Sequence, residues 1–335
     1  MLTWRAAMAW HRPLMAFALS MALLAPVAAA GTVLDDRVLA GAAIWLKPLK
    51  FSLSFAVYAL TLAWMLSLLT RHRRAGWWAG TVVAVAGAVE MVLITTQVVR
   101  GRGSHFNIAT PLDARLFALM GLTIVLLWTG TLVVALLLFR TRTLDAATAW
   151  AVRLGAVVSL LGLAVGGLML LPTPEQRAAD PRGVAEAIGA HSVGVPDGGP
   201  AMPFTGWSTT GGDLRIPHFV GMHALQALPL LLVLLLALAP RAARLRDARV
   251  RLRLVLVGAG VHTAVLALLT WQALRGQPLT SPDGPTLGAA AALAALGVGA
   301  TWAALRVPGP QPSPAAPPST VPTAPAPPVR KEPVA

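Results

Sequence analysis

The sequence predicts an all-α protein, a polytopic bundle of about eight membrane-crossing helices. Three observations carry that expectation. Of the 335 residues, 56% are hydrophobic and only 12% are charged, about half the charged fraction of a soluble domain. Eight apolar runs are close to the ~20 residues that a helix needs to cross a ~30 Å hydrocarbon core. Arginine collects in alternate connections between those runs, the asymmetry expected of loops that stay on the cytoplasmic side. That placement explains the net charge of +14 by topology and leaves no reason to expect a nucleic-acid partner. With no cysteine, disulfides, iron–sulfur clusters and thiol catalysis are excluded.

The runs lie near 13–30, 51–70, 77–98, 116–139, 150–171, 218–239, 252–273 and 286–305. The first follows Arg5, His11 and Arg12 and ends in A-P-V-A-A-A-G. It therefore also fits a signal peptide with a small-residue cleavage site, which would leave seven helices. Its length favours a retained helix. Arg71, Arg73 and Arg74 follow the second run, Arg140, Arg142 and Arg153 the fourth, and Arg241, Arg244, Arg246, Arg249, Arg251 and Arg253 the sixth. These connections, and with them the C-terminus, are expected on the cytoplasmic side of a bacterial inner membrane. The opposite side carries a long loop, 172–216, with Glu175, Asp180, Glu186, Asp197 and Asp213 against three arginines. The third connection, with Arg100, Arg102 and Arg115 against Asp113, fits least well. Residues 1–306 form the expected bundle. From Val307 to Ala335 the chain is rich in Pro and Ala and has too little large apolar surface to fold, so a disordered cytoplasmic tail is expected. No internal repeat is visible. Gly162 and Gly166 make a G-x-x-x-G in the fifth run, a close-packing signal.

The second run opens W-L-K-P-L-K-F-S-L-S, residues 45–54. At 100° per residue, Lys47, Lys50, Ser54, Tyr58 and Thr61 fall within an arc of about 80°. The lysines sit at the outer boundary and the hydroxyls reach toward the midplane. Lysines that snorkel to lipid phosphates are one reading. The polar wall of an outward-facing cavity is the other, because lipid gives no reason to align five polar groups. Glu90 lies well inside the third run, where a carboxylate is costly unless paired, protonated or hydrated. Lys50 is a candidate ion-pair partner, and Gln97 shares the Glu90 face. The sixth run begins I-P-H-F-V-G-M-H-A-L-Q. Pro217 suits a first helical turn, and His218, His223 and Gln226 share a broad face. The five-residue histidine spacing is not the i,i+4 geometry of a helical zinc pair, and no metal site is expected. His262 lies mid-membrane in the next run. The Gly- and Pro-rich loop with His191, Asp197, Trp207, Asp213 and Arg215 reads as a lid, with Met202, Phe204 and Trp207 to bury. His105, Asn107 and Asp113 face the same compartment.

Three segments, W-L-K-P-L-K-F-S-L-S, R-G-R-G-S-H-F-N-I-A-T-P-L-D and G-D-L-R-I-P-H-F-V-G-M-H-A-L-Q, resemble segments of a family of bacterial multi-pass membrane proteins with no assigned activity. The resemblance spans most of 45–230 and implies a membrane location without a mechanism. The sequence has no H-E-x-x-H, no Walker loop and no dinucleotide glycine signature. G-W-S-T-T-G departs from a nucleophile elbow at Thr210. Three functions are expected in this order. The first is binding or transport of a small anionic or zwitterionic molecule, or a lipid headgroup, by Lys47, Lys50, Ser54, Tyr58, Glu90, Gln97, His223 and Gln226 under a lid that brings His105, Asn107, Asp213 and Arg215, with His218 at its edge. The second is a haem- or metal-binding redox protein using His105, His218, His223 and His262. The third is an enzyme on an envelope lipid with Glu90, His105, His218 and Asp213 as acid–base groups. No cofactor is named by the sequence. Beyond the bilayer and such a ligand, no partner is.

Overall fold

A computed structural model describes residues 7–142, 144–179 and 186–306. The expected tail, 307–335, lies outside the described residues. Helices dominate: α1 (Arg12–Leu34), α2 (Leu46–Ser67), α3 (Arg73–Val99), α4 (Pro111–Arg140), α5 (Ala146–Leu168), the short α6 (Pro174–Ala179), α7 (Arg215–Met222), α8 (Ala224–Leu238), α9 (Ala248–Leu274) and α10 (Gly284–Leu305). Seven of them, α1 to α5, α9 and α10, are each long and apolar enough to cross a membrane. α7 and α8, bent by 44° at a short break, pass the same test together, as a broken span or a re-entrant loop.

Local sequence explains where half of these helices start. Thr110, Asp145, Asp247 and Asp283 cap α4, α5, α9 and α10 by accepting backbone N–H groups of the first turn, a contribution of about 1 kcal/mol each. Pro13, Pro111 and Pro285 stand in the first turns of α1, α4 and α10, where a missing N–H costs nothing. His11 caps α1 by accepting from the Leu14 N–H at 3.2 Å, so its other nitrogen donates to the Trp77 carbonyl at 2.9 Å. This ties α1 to α3. Leu14, Met15 and Phe17 are buried in the core. The first run is thus built into the bundle as a packed helix.

The helices fall into two halves. In the first, α1 packs along α2, α3 along α4, and α2 and α1 both meet α3. Phe17, Phe55, Leu62, Met65, Val83, Ile94 and Leu138 fill its core. In the second, α5 and α9 hold α7 and α8 between them, with α10 on the flank of α9. Ala151, Leu232, Leu235, Val250 and Val255 pack there. The halves join where α4 lies on α5 and where α2 grazes α8. Val92, Val125, Leu230 and Leu296 point outward and stay exposed, as lipid-facing positions do.

The sixth run is not the continuous helix its hydropathy suggests. Gly162 and Gly221 bring α5 and α7 into backbone contact, and a Cβ on Gly221 would stand 2.5 Å from the Gly162 Cα. The helix then breaks at His223. The break frees carbonyls that water cannot reach in a bilayer, so neighbours must bond them. Ser159 Oγ donates to the Met222 carbonyl at 2.8 Å, and His262 Nε2 donates to that of Val220 at 2.8 Å. His218 Nδ1 donates to the Gly162 carbonyl at 2.9 Å, and its ring packs on Gly166. The G-x-x-x-G is a packing surface, and its partner is the broken span.

One end of the bundle carries the arginine-rich connections and the other carries the long ones. At the long-loop end, β1 (Val38–Leu39) and β2 (Ala42–Ala43) make a hairpin. Ala40 and Gly41 turn it with φ of 49° and 75°, the doubly positive pattern of a type I′ turn. β3 (Ser192–Val193) pairs antiparallel with β4 (Gly212–Asp213). The loops after α3 and α5 pair with each other: Asn107 bridges Ala187, Ile108 N donates to the Glu186 carbonyl at 2.9 Å, and Ile188 N to that of Phe106 at 2.9 Å. The result is a stitched cap over that end.

Candidate functional site

The cap and the helix ends beneath it gather most of the charged side chains that sequence reasoning singled out, in four separate groups. The first is a chain from α2 through the 100–110 loop to α3 and α4. Lys47 Nζ donates to His105 Nδ1 at 3.0 Å. His105 Nε2 lies 3.5 Å from Glu90 Oε1, longer than a formed hydrogen bond. Thr123 Oγ1 stands 2.8 Å from Glu90 Oε2. An ammonium can only donate, so Nδ1 is an acceptor and the His105 proton sits on Nε2, facing the carboxylate. Ser104 Oγ also approaches Nδ1, at 3.1 Å. Glu90 is wholly buried. Burial, then the Lys47 charge, then His191 and His218 hold the His105 pKa well below its ordinary value, so the ring is neutral near pH 7. No bond joins Lys50 to Glu90; the carboxylate is bonded by Thr123 and faces His105, with Lys47 behind His105.

The second group lies on the seam between the halves. Lys50, one turn before Ser54 on α2, donates to the Thr205 carbonyl of the cap at 2.9 Å. Ser54 Oγ donates to His223 Nε2 at 3.3 Å, and His223 Nδ1 donates to Gln226 Oε1 at 3.1 Å. The helix break places His223 there, edge-on to Phe219 at a ring distance of 4.5 Å, and Phe219 is in turn edge-on to Trp207 at 6.0 Å. Three buried side-chain atoms find no hydrogen-bond partner among the described residues: Gln226 Nε2, Thr205 Oγ1 and Glu90 Oε1. Two of them belong to this group and both can donate.

The third group is complete. Asp113, fully buried, accepts from Gln97 Nε2 at 2.9 Å, Arg100 Nη1 at 2.7 Å and Thr110 Oγ1 at 2.7 Å. Arg100 also donates to Gln97 Oε1, and Gln97 Nε2 to the Gly103 carbonyl. This network locks α3 to α4 and uses Gln97 for that purpose. The fourth is the cap itself. Buried Asp213 accepts from Arg215 (2.5 Å) and the Ser208 N–H (2.8 Å), while Arg215 also donates to the Gly206 carbonyl at 2.6 Å. His191 donates to Asp197 at 2.8 Å. Burial lowers the His191 pKa despite that bond. The Asp197 carboxyl, which burial would raise, is held well below its usual range by hydrogen bonds from His191 and Ser192.

The polar stripe of α2 is thus split three ways. Lys47 joins Glu90, while Lys50 and Ser54 face the seam. Tyr58 is buried deeper and pairs with Thr131 of α4, and Thr61 bonds its own helix at the Val57 carbonyl. Asn107 shapes its loop by donating to the Gly103 carbonyl and accepting from the Ala109 N–H. Phe204, expected to be buried by the lid, is 88% exposed, because its φ of 61° turns it outward at the cap tip. The four histidines of the redox reading make different bonds in different places, and among the described residues no three His, Asp or Glu gather as a metal site. Sequence reasoning missed Thr123, Thr205 and the link from His105 to Glu90. Thr123 had a signal in its depth. It lies twelve residues into α4 (Pro111 to Thr123) and Glu90 nine before the end of α3 (Glu90 to Val99), comparable depths on neighbouring antiparallel helices. Two open concavities, of about 630 and 460 Å³, lie at the arginine-rich end by Trp10, His11 and Trp77 and by Arg71, His72 and Arg140, away from these groups.

No protein-family model, curated protein or solved structure matches the chain.

Proposed function

We propose that this is an integral membrane protein that binds a small anionic or zwitterionic group, free or as a lipid headgroup, at the seam beneath the cap. The observation that carries the reading is the pair of buried, unpartnered donors, Gln226 Nε2 and Thr205 Oγ1, in two bonded sets anchored one turn apart on α2, Thr205 on the Lys50 ammonium and Gln226, through His223, on Ser54. A buried donor without an acceptor costs about 1–3 kcal/mol. An anionic oxygen would recover that cost and gain the lysine charge. The seam between helical halves is also where pockets in helical proteins form. The arginine asymmetry orients the cap outside and the arginine-rich end in the cytoplasm. A bacterial inner membrane is the location that fits the resemblance of the three segments.

The test is thermal unfolding of the purified protein, followed by tryptophan fluorescence, with three probes: inorganic phosphate, phosphatidylglycerol and phosphatidylcholine. Binding to the folded state raises the melting temperature. The reading expects at least one probe to stabilise the wild type and to lose its effect in Lys50→Met and Gln226→Leu. A response to phosphate indicates a free anion, and one to lipid alone indicates a headgroup. No response to any probe, or equal responses in both variants, would overturn it.

A further inference from the structure

Glu90 has a feature the anion site does not use: one carboxylate oxygen, fully buried, faces an imidazole N–H without completing a bond to it. We infer that Glu90 is a proton-binding site, loaded from the cap side through Lys47 and His105. It uses residues other than those of the anion site, so either reading can fail alone.

The geometry supports both protonation states. Thr123 has one hydroxyl proton and two acceptors at 2.8 Å, Glu90 Oε2 and the Met120 carbonyl. It donates to Oε2 when Glu90 is charged. When Oε1 carries the proton, Thr123 goes on donating to Oε2, now the carbonyl oxygen, and the Oε1–H points back at His105 Nε2, by then without its own hydrogen. Asp113 also has a hydroxyl partner, Thr110, but adds the Arg100 guanidinium and the Gln97 amide, and the guanidinium favours the charged form.

The loading step balances. In the resting state Lys47 is an ammonium, His105 is neutral with its proton on Nε2, and Glu90 is a carboxylate. The Nε2 proton passes to Glu90 Oε1 while a proton passes from Lys47 Nζ to Nδ1. The Nζ–H and Nε2–H bonds break, and Nδ1–H and Oε1–H bonds form. The two opposite charges cancel, the new Nδ1–H is accepted by Ser104 Oγ, 3.1 Å away, and the Lys47 lone pair takes a proton from hydronium on the cap side. Unloading reverses each transfer. The groups that face Glu90 come from every element around it: Lys47 from α2, His105 from the loop and Thr123 from α4. On the α1 side, Phe17 lies against Gly87 of the same helix. Behind them, His191 and His218 influence His105, and Lys50, Arg215 and Asp197 influence Lys47.

Infrared difference spectroscopy of the full-length protein in lipid, stepped from about pH 10 to about pH 4 to span the carboxyl and imidazole range, reads the proton directly. A protonated carboxyl C=O band is expected to appear on acidification, to shift in D₂O and to be missing in Glu90→Gln. Thr123→Val should move the band frequency, which assigns it even if Glu90→Gln does not fold. In Lys47→Met the band should persist to higher pH, because the cation that favours the charged form is gone. Absence of a titrating band, or a titration unchanged in Lys47→Met, would overturn the inference.

Discussion

Asp113 and Glu90 are both fully buried carboxylates near the cap end of the α3–α4 pair, and they differ in how completely they are bonded. Asp113 accepts from three side chains and one of them, Arg100, is a cation. Glu90 has one firm partner, a hydroxyl that can reverse its role, and one open oxygen. A carboxylate that is saturated with donors holds helices together. One that is left partly open has a free energy that depends on what else arrives, whether proton or ligand. The sequence presents both as acidic residues in or beside apolar runs; only their surroundings separate a fastener from a site.

The largest effect should come from removing the fastener. Asp113→Ala takes from Gln97 one of its two acceptors and from Arg100 its anion, a loss of about 3 kcal/mol. Chemical denaturation in mixed micelles measures it. A loss well under half of that would mean the network is decorative. Next is Gly162→Ala, whose new methyl meets the Gly221 backbone. Overpacking should cost about 1–3 kcal/mol, and by displacing α7 it should weaken probe binding at the seam while sparing the Asp113 network. Retained binding in a destabilised variant would separate the seam from the helix break.

Acidification comes third. His105 and His191 are half-buried, and desolvation lowers the pKa of each below the ordinary 6.5. The unfolded chain therefore binds more protons than the folded one below about pH 6.5, and stability falls as pH drops through that range. His191→Gln should flatten the fall, read as melting temperature against pH. An equally steep fall in the variant would place the titrating group elsewhere. The smallest effect is Tyr58→Phe, which removes a buried bond to Thr131 worth about 1 kcal/mol and should leave probe binding unchanged, since Tyr58 lies below both sites.

The seven candidate spans and the bent α7–α8 pair were legible because hydropathy and arginine placement act over whole segments. The break in the sixth span was not, since Pro217 and Gly221 are common in membrane helices and only the side chains of Ser159 and His262 make the break affordable. The alignment of Lys47, Lys50 and Ser54 along one side of α2 was legible, and it left open snorkelling lysines or a cavity wall. Its division was hidden, because Lys47 and Lys50 diverge by about 60° on the helix and each follows a different loop atom. Gln97 shares a helical face with Glu90 but lies about 10 Å further along the axis at 1.5 Å per residue, so it serves another network. His105 could not be placed by periodicity at all, as it sits on a loop that folds back over the helix ends.

The contrast between the two carboxylates is tested most directly by the isosteric pair Asp113→Asn and Glu90→Gln, unfolded side by side and then examined for the buried carboxyl band. The account predicts that Asp113→Asn lowers the melting temperature clearly more than Glu90→Gln does, because Asn loses the charge that Arg100 pairs with, whereas Gln can still accept from Thr123. It also predicts that the titrating band survives in Asp113→Asn and vanishes in Glu90→Gln. Equal destabilisation by the two, or a band that survives in Glu90→Gln, would contradict it.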